Sequence, residues 1–274
     1  MTADDFGASV EINEAVERAH CNGILTTTSL MVSAPAAADA VARARRLPTL
    51  KVGLHVVLVC GRPVLDPAHI PALVDAQGCF RDDLVGAGVD FFFQSNARRQ
   101  LEAEVLAQFE AFKRTGLELD HVNAHNHMHL HPTVMQVILK VGKNYGLRAI
   151  RLPHEPINML KGWQIPRQFV ASLCLSLWVK LLKNRLKRHR LHHNDYVFGL
   201  HDSGHMDKAK VSAILRNLPI GTSEIYFHPA ITRLGQPFPT DYLPDLEFDV
   251  LVDQEIAELI EKGNIRLISF SELA

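Results

Sequence analysis

Histidine is concentrated in one short stretch of this chain, DHVNAHNHMHLHP, which runs from residue 120 to residue 132. Five of the fifteen histidines lie there, all at odd positions: His121, His125, His127, His129 and His131. On an extended chain, residues two apart project from the same face, so this spacing predicts a row of imidazoles on one side. Neutral imidazole is a common ligand of transition metal ions. The stretch therefore predicts a metal site, with a histidine-rich polar loop as the alternative.

Further polar side chains stand at or near strand-like runs elsewhere in the chain: Asp4, Asp5, His55, Arg151 and His228. One carboxylate and two imidazoles can hold a divalent ion while leaving positions open for water and substrate. We therefore predict Asp5, His55 and His125 as the ligands of one metal ion.

The remaining polar residues have predicted roles in a hydrolysis. Asp4 adjoins the predicted ligand Asp5 and is the candidate general base. His228 is the first choice for the acid that protonates a leaving nitrogen, and His127 is the second. Arg151 and His127 are the candidate substrate contacts. The alternatives are structural, because an Asp pair can cap a helix and a buried histidine often pairs with a backbone carbonyl.

Short β-branched or apolar runs alternate with longer helical patterns along the chain, which is typical of βα repeats and a parallel sheet. Seven runs are strand-like: 24–32, 51–59, 117–123, 147–152, 195–200, 224–227 and 264–270. Thr2 and Ala3 would be the stub of an eighth. This number of units predicts a closed (β/α) barrel with its active site at the C-terminal ends of the strands. A doubly wound sheet is the alternative, but the chain has no glycine-rich phosphate loop to support it.

The length of 274 residues predicts a single domain over 1–274. Residues 60–95 are rich in glycine and proline and predict a loop insertion that shapes a binding site or a partner contact. Residues 97–115 have helical apolar spacing. A basic helical segment is predicted at about 167–193, because no acidic residue occurs between Pro156 and Asn194 and six cations follow an apolar run.

Composition restricts the cellular setting and the partners. The formal net charge of −1 gives no general attraction for nucleic acid. The four cysteines form no C-x-x-C pair, and no signal peptide or long apolar run is present. These features predict a cytoplasmic protein. The basic segment at 167–193 predicts a peripheral contact with the inner membrane face, and the alternative is an amphipathic helix packed on the barrel.

Several motifs, taken in order along nearly the whole chain, resemble those of the YdjC-like carbohydrate deacetylases, distant relatives of the NodB-type polysaccharide deacetylases. They are ADDFG at 3–7, VGLH at 52–55, the histidine stretch, IRLPHEP at 150–156 and EIYFHPA at 224–230. The branch associated with hopanoid biosynthesis is the most similar. The resemblance implies a distorted (β/α) barrel of seven to eight strands and hydrolysis of an N-acetyl group on an amino sugar. For the hopanoid branch it implies an N-acetylglucosaminyl hopanoid lipid as substrate.

Carried over by position, the resemblance assigns the metal to Asp5, His55 and His125, the general base to Asp4 and the histidine of the His-Pro motif to His228. Two departures accompany it. Asn123 and Asn126 replace residues that are Asp and His or Lys in many relatives, which affects contacts around the ligands. Relatives also begin with a hydrophobic strand before the Asp pair, so the first strand is predicted to be truncated, with unpaired neighbouring edges.

The predicted cofactor is one divalent metal ion, with Zn²⁺ and Mg²⁺ as the leading candidates and Mn²⁺, Fe²⁺ and Co²⁺ as alternatives. The predicted partners are an N-acetylated amino-sugar substrate, lipid-linked in the hopanoid interpretation, and a second copy in a homodimer. Two other functions are left open. One is a different metal-barrel hydrolase such as a phosphoesterase, and the other is a non-catalytic protein that binds a sugar lipid.

Overall fold

A curled parallel sheet of six strands forms the centre of the protein, in the order β4-β3-β2-β1-β6-β5. The structure is a computed structural model that describes residues 1–156, 178–232 and 241–273. The strands are β1 Thr2–Phe6, β2 Thr27–Leu30, β3 Lys51–Val56, β4 Val122–Ala124, β5 Tyr196–Phe198 and β6 Ser223–Phe227. All neighbouring pairs are parallel, so the C-terminal ends of the strands lie along one edge.

The first strand is central and is paired on both sides. Thr2 is in register with Thr27 of β2 and with Tyr226 of β6. The predicted two-residue stub with unpaired neighbouring edges is therefore wrong, because β1 spans five residues and includes the Asp pair. Ala3 and Phe6 are fully buried, so this strand is also part of the hydrophobic core.

Residues 147–152, predicted as a strand, join the two edges of the sheet through single bridges. Ile150 bridges to Val122 of β4, and Ala149 bridges to His192, which precedes β5. The described residues thus contain six strands in a curled half-barrel, and the predicted seven to eight are not confirmed. Residues 264–270 are not a strand; the Ile268 carbonyl instead accepts a hydrogen bond from the Thr26 hydroxyl at 3.1 Å.

Helices cover the sheet and supply the rest of the core. They are α1 Val10–Asn22, α2 Ala37–Arg46, α3 Leu84–Phe93, α4 Ser95–Arg114, α5 Pro132–Gly142, α6 at 178–188, α7 Lys208–Arg216, α8 Pro244–Leu251 and α9 Gln254–Lys262. The predicted helix at 97–115 corresponds to α4. The predicted loop insertion at 60–95 is loop only in its first part, because Leu84–Phe93 forms α3 with the Asp83 carboxylate capping its first turn.

The basic segment is described only from residue 178 onward, and residues 167–177 lie outside the described residues. In α6, Val179, Leu182 and Leu186 are buried at helical spacing while Lys180 and Lys187 are exposed. The described part is therefore an amphipathic helix packed on the core, as the alternative interpretation expected. Among the described helices, none combines the length and the apolar character needed to cross a bilayer.

Candidate metal centre and active site

A distortion in β1 brings two adjacent carboxylates to the same end of the sheet. Successive side chains of a regular strand point to opposite faces. The pairing of β1 with β2 shifts register between Ala3 and Phe6, and Asp5 has a left-handed φ of 62°. Asp tolerates this conformation better than most residues, and such a bulge redirects a side chain. Asp4 and Asp5 consequently both line the cavity at the C-terminal edge.

Asp5, His55 and His125 converge on one point at that edge. The Asp5 Oδ1 atom lies 3.2 Å from His55 Nε2 and 3.0 Å from His125 Nδ1. The two ring nitrogens are 3.3 Å apart. These three residues are the one group of possible metal ligands found in the described part of the chain. The structure thus brings together the three residues that the sequence predicted as ligands.

The spacing of these three atoms fits ligands around a single ion. Nitrogen and oxygen ligands lie about 2.0 to 2.2 Å from Zn²⁺. At these radii, neighbouring ligands of a tetrahedral or octahedral ion are about 2.8 to 3.6 Å apart. The observed separations of 3.0, 3.2 and 3.3 Å fall in this range. The donor set of one carboxylate and two imidazoles also suits a divalent transition ion.

The neighbours of His55 fix which of its ring nitrogens carries the proton. Asn123 donates from Nδ2 to Asp4 Oδ1 at 3.0 Å, which leaves its Oδ1 atom facing His55 Nδ1 at 2.7 Å. Because an amide oxygen only accepts, His55 carries its proton on Nδ1. Its Nε2 atom therefore presents a lone pair to the other two ligands. This is the orientation that a metal-binding imidazole requires, and hydrogen bonds of this kind usually set it.

Electrostatics keep the ligand carboxylate ionised. Burial alone would raise the pKa of Asp5, but the nearby His125 ring outweighs burial and holds that pKa well below its usual range. Burial likewise disfavours the charged form of His125, and the Asp5 carboxylate overrides it and raises the pKa of His125. An anionic Asp5 is the form in which it can bind a cation.

Asp4 belongs to a buried ion network beneath the ligands. The Arg151 guanidinium donates to both Asp4 oxygens, with Nη2 2.9 Å from Oδ1. The same guanidinium donates to Glu224 from Nε and Nη2 at 2.9 and 2.8 Å. Burial would raise the pKa of Asp4, but Arg151 holds it far below the usual range. The Ser29 hydroxyl also donates to Asp4, at 2.8 Å.

The position of Arg151 bears on its predicted contact with substrate. Its side chain is 0% exposed and its three nitrogens donate to Asp4 and Glu224. It does not line the cavity that holds the ligands. The substrate contact of Arg151 stays a prediction, and this geometry favours instead an electrostatic role in fixing the Asp4 carboxylate.

Strand β6 sends alternate side chains into the interior. Glu224 bonds to Arg151, the Tyr226 hydroxyl lies 3.1 Å from His127 Nε2, and His228 follows two residues later at the cavity wall. The ring centroids of Tyr226 and His228 are 5.5 Å apart. Burial lowers the pKa of His127 to about 3, with the Arg151 charge adding to the effect, so this imidazole is neutral.

The histidine stretch does not form the extended row that its spacing predicted. Strand β4 ends at Ala124, and the chain turns into a 3₁₀ segment over His125–Leu130. Within it, Asn126 and His127 have left-handed φ values of 51° and 52°. The imidazoles therefore separate. Only His125 and His127 line the cavity, whereas His121 stacks on Phe270 with ring centroids 4.3 Å apart.

The cavity has a volume of about 450 Å³, within the usual range for small-molecule sites. Its walls come from several strand ends and loops. They include Asp4, Asp5, His55, Cys60, Leu84, Ala124, His125, Asn126, His127, Leu200, Ser203, Tyr226, His228, Asp241 and Tyr242. Six of the seven predicted site residues thus line one cavity, and Arg151 lies beneath it.

Comparison with known proteins identifies the family. The family model described as "YdjC-like protein" matches residues 1–262. The chain belongs to the YdjC-like family. Members of this family are hydrolases that act on N-acetyl amides, so the prediction that the protein is an enzyme of this class is confirmed.

Individual relatives of this YdjC-like protein match it from end to end. A Brevibacillus brevis protein is 29% identical over 278 residues, covering 100% of this chain and 98% of its own. A Vibrio vulnificus protein is 36% identical over 284 residues, covering 100% and 95%. An Oceanobacillus iheyensis protein is 34% identical over 265 residues, covering 95% and 98%. All three are named carbohydrate deacetylase.

A solved structure supports the same fold. The crystal structure of an Enterococcus faecalis protein, provisionally assigned to cellobiose-phosphate cleavage, superimposes with a TM-score of 0.77. The two sequences are 23% identical, and the match covers 100% of this YdjC-like chain and 97% of the other. At this identity the likeness concerns the fold.

Sequence reasoning missed two polar residues at the site. Ser29 donates to Asp4, and Tyr226 lines the cavity. Asn123 was noted as a departure from relatives, but its contacts with Asp4 and His55 were not predicted. The alternation of Glu224, Tyr226 and His228 in a strand was a usable signal, because residues two apart share a face. Ser29 lies beside two threonines in β2 with no distinguishing spacing, so nothing in the sequence pointed to it.

Proposed function

We propose that this YdjC-like protein hydrolyses the N-acetyl group of an amino sugar, with one divalent metal ion held by Asp5, His55 and His125. The observation that carries the proposal is the ligand triangle with sides of 3.0, 3.2 and 3.3 Å, in which Asn123 orients the His55 ring. The names of its end-to-end relatives supply the substrate class.

The chain supplies a proton acceptor and a proton donor for this hydrolysis. A bound divalent ion would polarise the acetamide carbonyl and lower the pKa of water. Asp4 accepts the proton that water loses as its oxygen bonds to the carbonyl carbon. His228 then donates a proton to the amide nitrogen as the carbon–nitrogen bond breaks, which yields acetate and a free amine. Arg151 holds the Asp4 carboxylate in place for the first step.

The donor set orders the candidate metals. Two imidazoles and one carboxylate favour Zn²⁺, whereas Mg²⁺ prefers an all-oxygen shell and is the second candidate here. Mn²⁺, Fe²⁺ and Co²⁺ are further alternatives. The described part of the chain contains one ligand cluster, which does not favour a phosphoesterase with two metal ions.

An acetate-release assay tests the proposal. Purified protein with added Zn²⁺ or Mg²⁺ is expected to release acetate from short chitooligosaccharides or from a glucosaminyl lipid whose amine is acetylated. Asp4→Asn and His55→Ala should each reduce the rate at least about 100-fold, because they remove the base and a ligand. Asp249→Asn and His189→Ala, at exposed positions, are matched controls that should retain it. Absence of acetate from every substrate by a metal-loaded wild-type protein would refute the proposal.

The finer predictions on partners extend this proposal. We propose an N-acetylglucosaminyl lipid of the hopanoid type as substrate, and a peripheral membrane contact through 167–193 in a cytoplasmic single-domain protein. The exposed apolar side chains of α3 support a partner surface beside the cavity. Val85, Phe92 and Phe93 are 78%, 48% and 72% exposed, and Leu84 of the same helix lines the cavity. A second copy of this chain in a homodimer is the partner we propose for it.

A further inference from the structure

Tyr226 lines the cavity yet has no role in the reaction outlined above. Its ring lies over the Arg151 guanidinium, with the guanidinium carbon 4.7 Å from the ring centroid. It has edge contacts with His127 and His228, at centroid distances of 5.4 and 5.5 Å. The residue is 2% exposed and lines the cavity.

Close packing fixes the position of this ring. A Cβ atom at Gly199 would lie 3.0 Å from the Tyr226 carbonyl oxygen and 3.1 Å from its ring carbon Cε1. Gly199 also has a left-handed φ of 112°, which favours glycine. The absence of a side chain at 199 therefore gives Tyr226 room, and the ring is held in one position.

The protons around the hydroxyl can be assigned from its neighbours. His127 Nδ1 is buried with no hydrogen-bond partner among the described residues, whereas Nε2 lies 3.1 Å from the phenol oxygen. Buried N–H groups without a partner are rarer than acceptors without one, which favours the proton on Nε2. His127 then donates to the Tyr226 oxygen. The phenolic proton is not needed for that bond.

Ser203 and Tyr242 line the same cavity as Tyr226. Burial raises the pKa of Tyr226 above its usual value, so its hydroxyl keeps its proton at neutral pH. The Ser203 hydroxyl in turn lies 2.9 Å from the Tyr242 hydroxyl. With His127 donating to its oxygen, Tyr226 does not use its own proton in that bond, and the proton is available to a molecule in the cavity.

We infer that Tyr226 is a substrate-contacting residue that donates a hydrogen bond to the acetamide oxygen, and that His127 is a positioning residue that orients its hydroxyl. The inference rests on the proposed deacetylation. Asp4 and Tyr226 contact the same guanidinium, and the His228 ring lies 5.5 Å from the Tyr226 ring, so the hydrogen-bond donor neighbours both the proton acceptor and the proton donor. No proton is transferred from Tyr226.

This role predicts a loss in turnover rather than in binding. Negative charge grows on the acetamide oxygen during hydrolysis, and removing one donor to such an oxygen costs about 10²- to 10³-fold in kcat in well-studied cases. Here a bound metal ion would also stabilise this negative charge, so the loss should be smaller. We expect Tyr226→Phe to lower kcat at least about tenfold. KM should change less than about threefold, because the contact strengthens in the transition state.

Steady-state kinetics on Tyr226→Phe test the first part, with Tyr145→Phe as a matched control. Tyr145 lies outside the cavity, and among the described residues its hydroxyl bonds only to Glu110, at 3.4 Å. The wild type must release acetate; if it does not, the proposed function fails and not this inference alone. In an active wild type, an unchanged kcat for Tyr226→Phe, or a loss confined to KM, would overturn the inference.

A double-mutant cycle tests the role of His127. If His127 acts through Tyr226, then His127→Phe combined with Tyr226→Phe should be no slower than the slower single variant. His127→Gln, which keeps a nitrogen donor on the side chain, should recover part of the kcat lost in His127→Phe. Additive losses, with equal thermal unfolding midpoints, would overturn the positioning role.

Discussion

Asn123 offers the sharpest test of how the metal site is built. Its Oδ1 atom accepts the His55 Nδ1 proton at 2.7 Å, and its Nδ2 atom donates to Asp4 at 3.0 Å. Asn123→Ala removes the acceptor that fixes which nitrogen of His55 carries the proton. In the metal-free variant the His55 proton can then move to Nε2. Returning it to Nδ1 costs part of the free energy of metal binding.

The size of the effect follows from what remains around His55. Loss of a hydrogen bond to a metal-binding histidine typically weakens metal affinity about 10- to 100-fold. Ser29 Oγ still lies 3.0 Å from His55 Nδ1 and can accept its proton in part. We therefore expect the lower end, about a tenfold rise in the Kd for Zn²⁺, or about 1.4 kcal/mol. Isothermal titration calorimetry after removal of bound metal by a chelator measures this directly.

Two further variants separate the hydrogen bond from general disturbance of the fold. Asn123→Asp keeps an oxygen acceptor for His55 and should bind Zn²⁺ at least as tightly as the wild type, since a carboxylate makes the imidazole more basic. Asn96→Ala, on the exposed first turn of α4, should have no effect. The reasoning is refuted if Asn123→Ala binds within about twofold of the wild type, or if Asn123→Asp binds more weakly than it.

Two predictions concern buried charge. Arg151→Met leaves the Asp4 and Glu224 carboxylates buried without a counter-ion, which should cost about 3 to 5 kcal/mol of unfolding free energy at pH 7 by urea titration; a loss under about 1 kcal/mol would contradict it. His129 is fully buried, neither ring nitrogen has a partner among the described residues, and burial lowers its pKa well below the usual value. The unfolded imidazole gains a proton below about pH 6.5 and the folded one does not, so stability present at pH 7 falls by about 2 kcal/mol at pH 5 for one such group. His129→Leu should remove that part of the metal-free protein's pH dependence, and an unchanged difference between pH 5 and pH 7 would argue against it.

The fold was predictable where the apolar residues kept one regular spacing. Helix α4 matched its prediction because Leu101, Val105 and Phe112 keep a helical spacing and all are buried. The prediction of a strand over 264–270 was wrong because an apolar run of that length also suits an extended segment outside the sheet. Such a segment can be held by side chains, as the Thr26 hydroxyl donates to the Ile268 carbonyl. The spacing of apolar residues indicates which residues are buried, and a buried segment need not be a strand.

The histidine stretch shows where local spacing fails to predict a site. A period of two has its geometric meaning only while the backbone is extended, and β4 ends at Ala124. Beyond it, His127 adopts a left-handed conformation that no hydrophobic pattern signals. His125 was nevertheless predicted as a ligand from its place at a strand end, and it lies beside Asp5 and His55 because parallel strands bring their C-terminal ends to one edge. Topology predicted this site better than spacing did.

The two adjacent carboxylates differ because the bulge at Asp5 gives them different surroundings. Asp5 faces two imidazoles, whereas Asp4 accepts from Arg151, Ser29 and Asn123 and has a pKa well below its usual 3.8. Such a carboxylate is a weak base. Taking a proton from ordinary water, of pKa 15.7, would cost it more than about 16 kcal/mol. From a water whose pKa has been lowered to about 7, the cost falls to about 4 kcal/mol or somewhat more. The proposed role of Asp4 as base therefore depends on a metal ion held by the ligand triangle beside it. For this reason the single distortion of β1 has to place Asp4 and Asp5 at the same cavity.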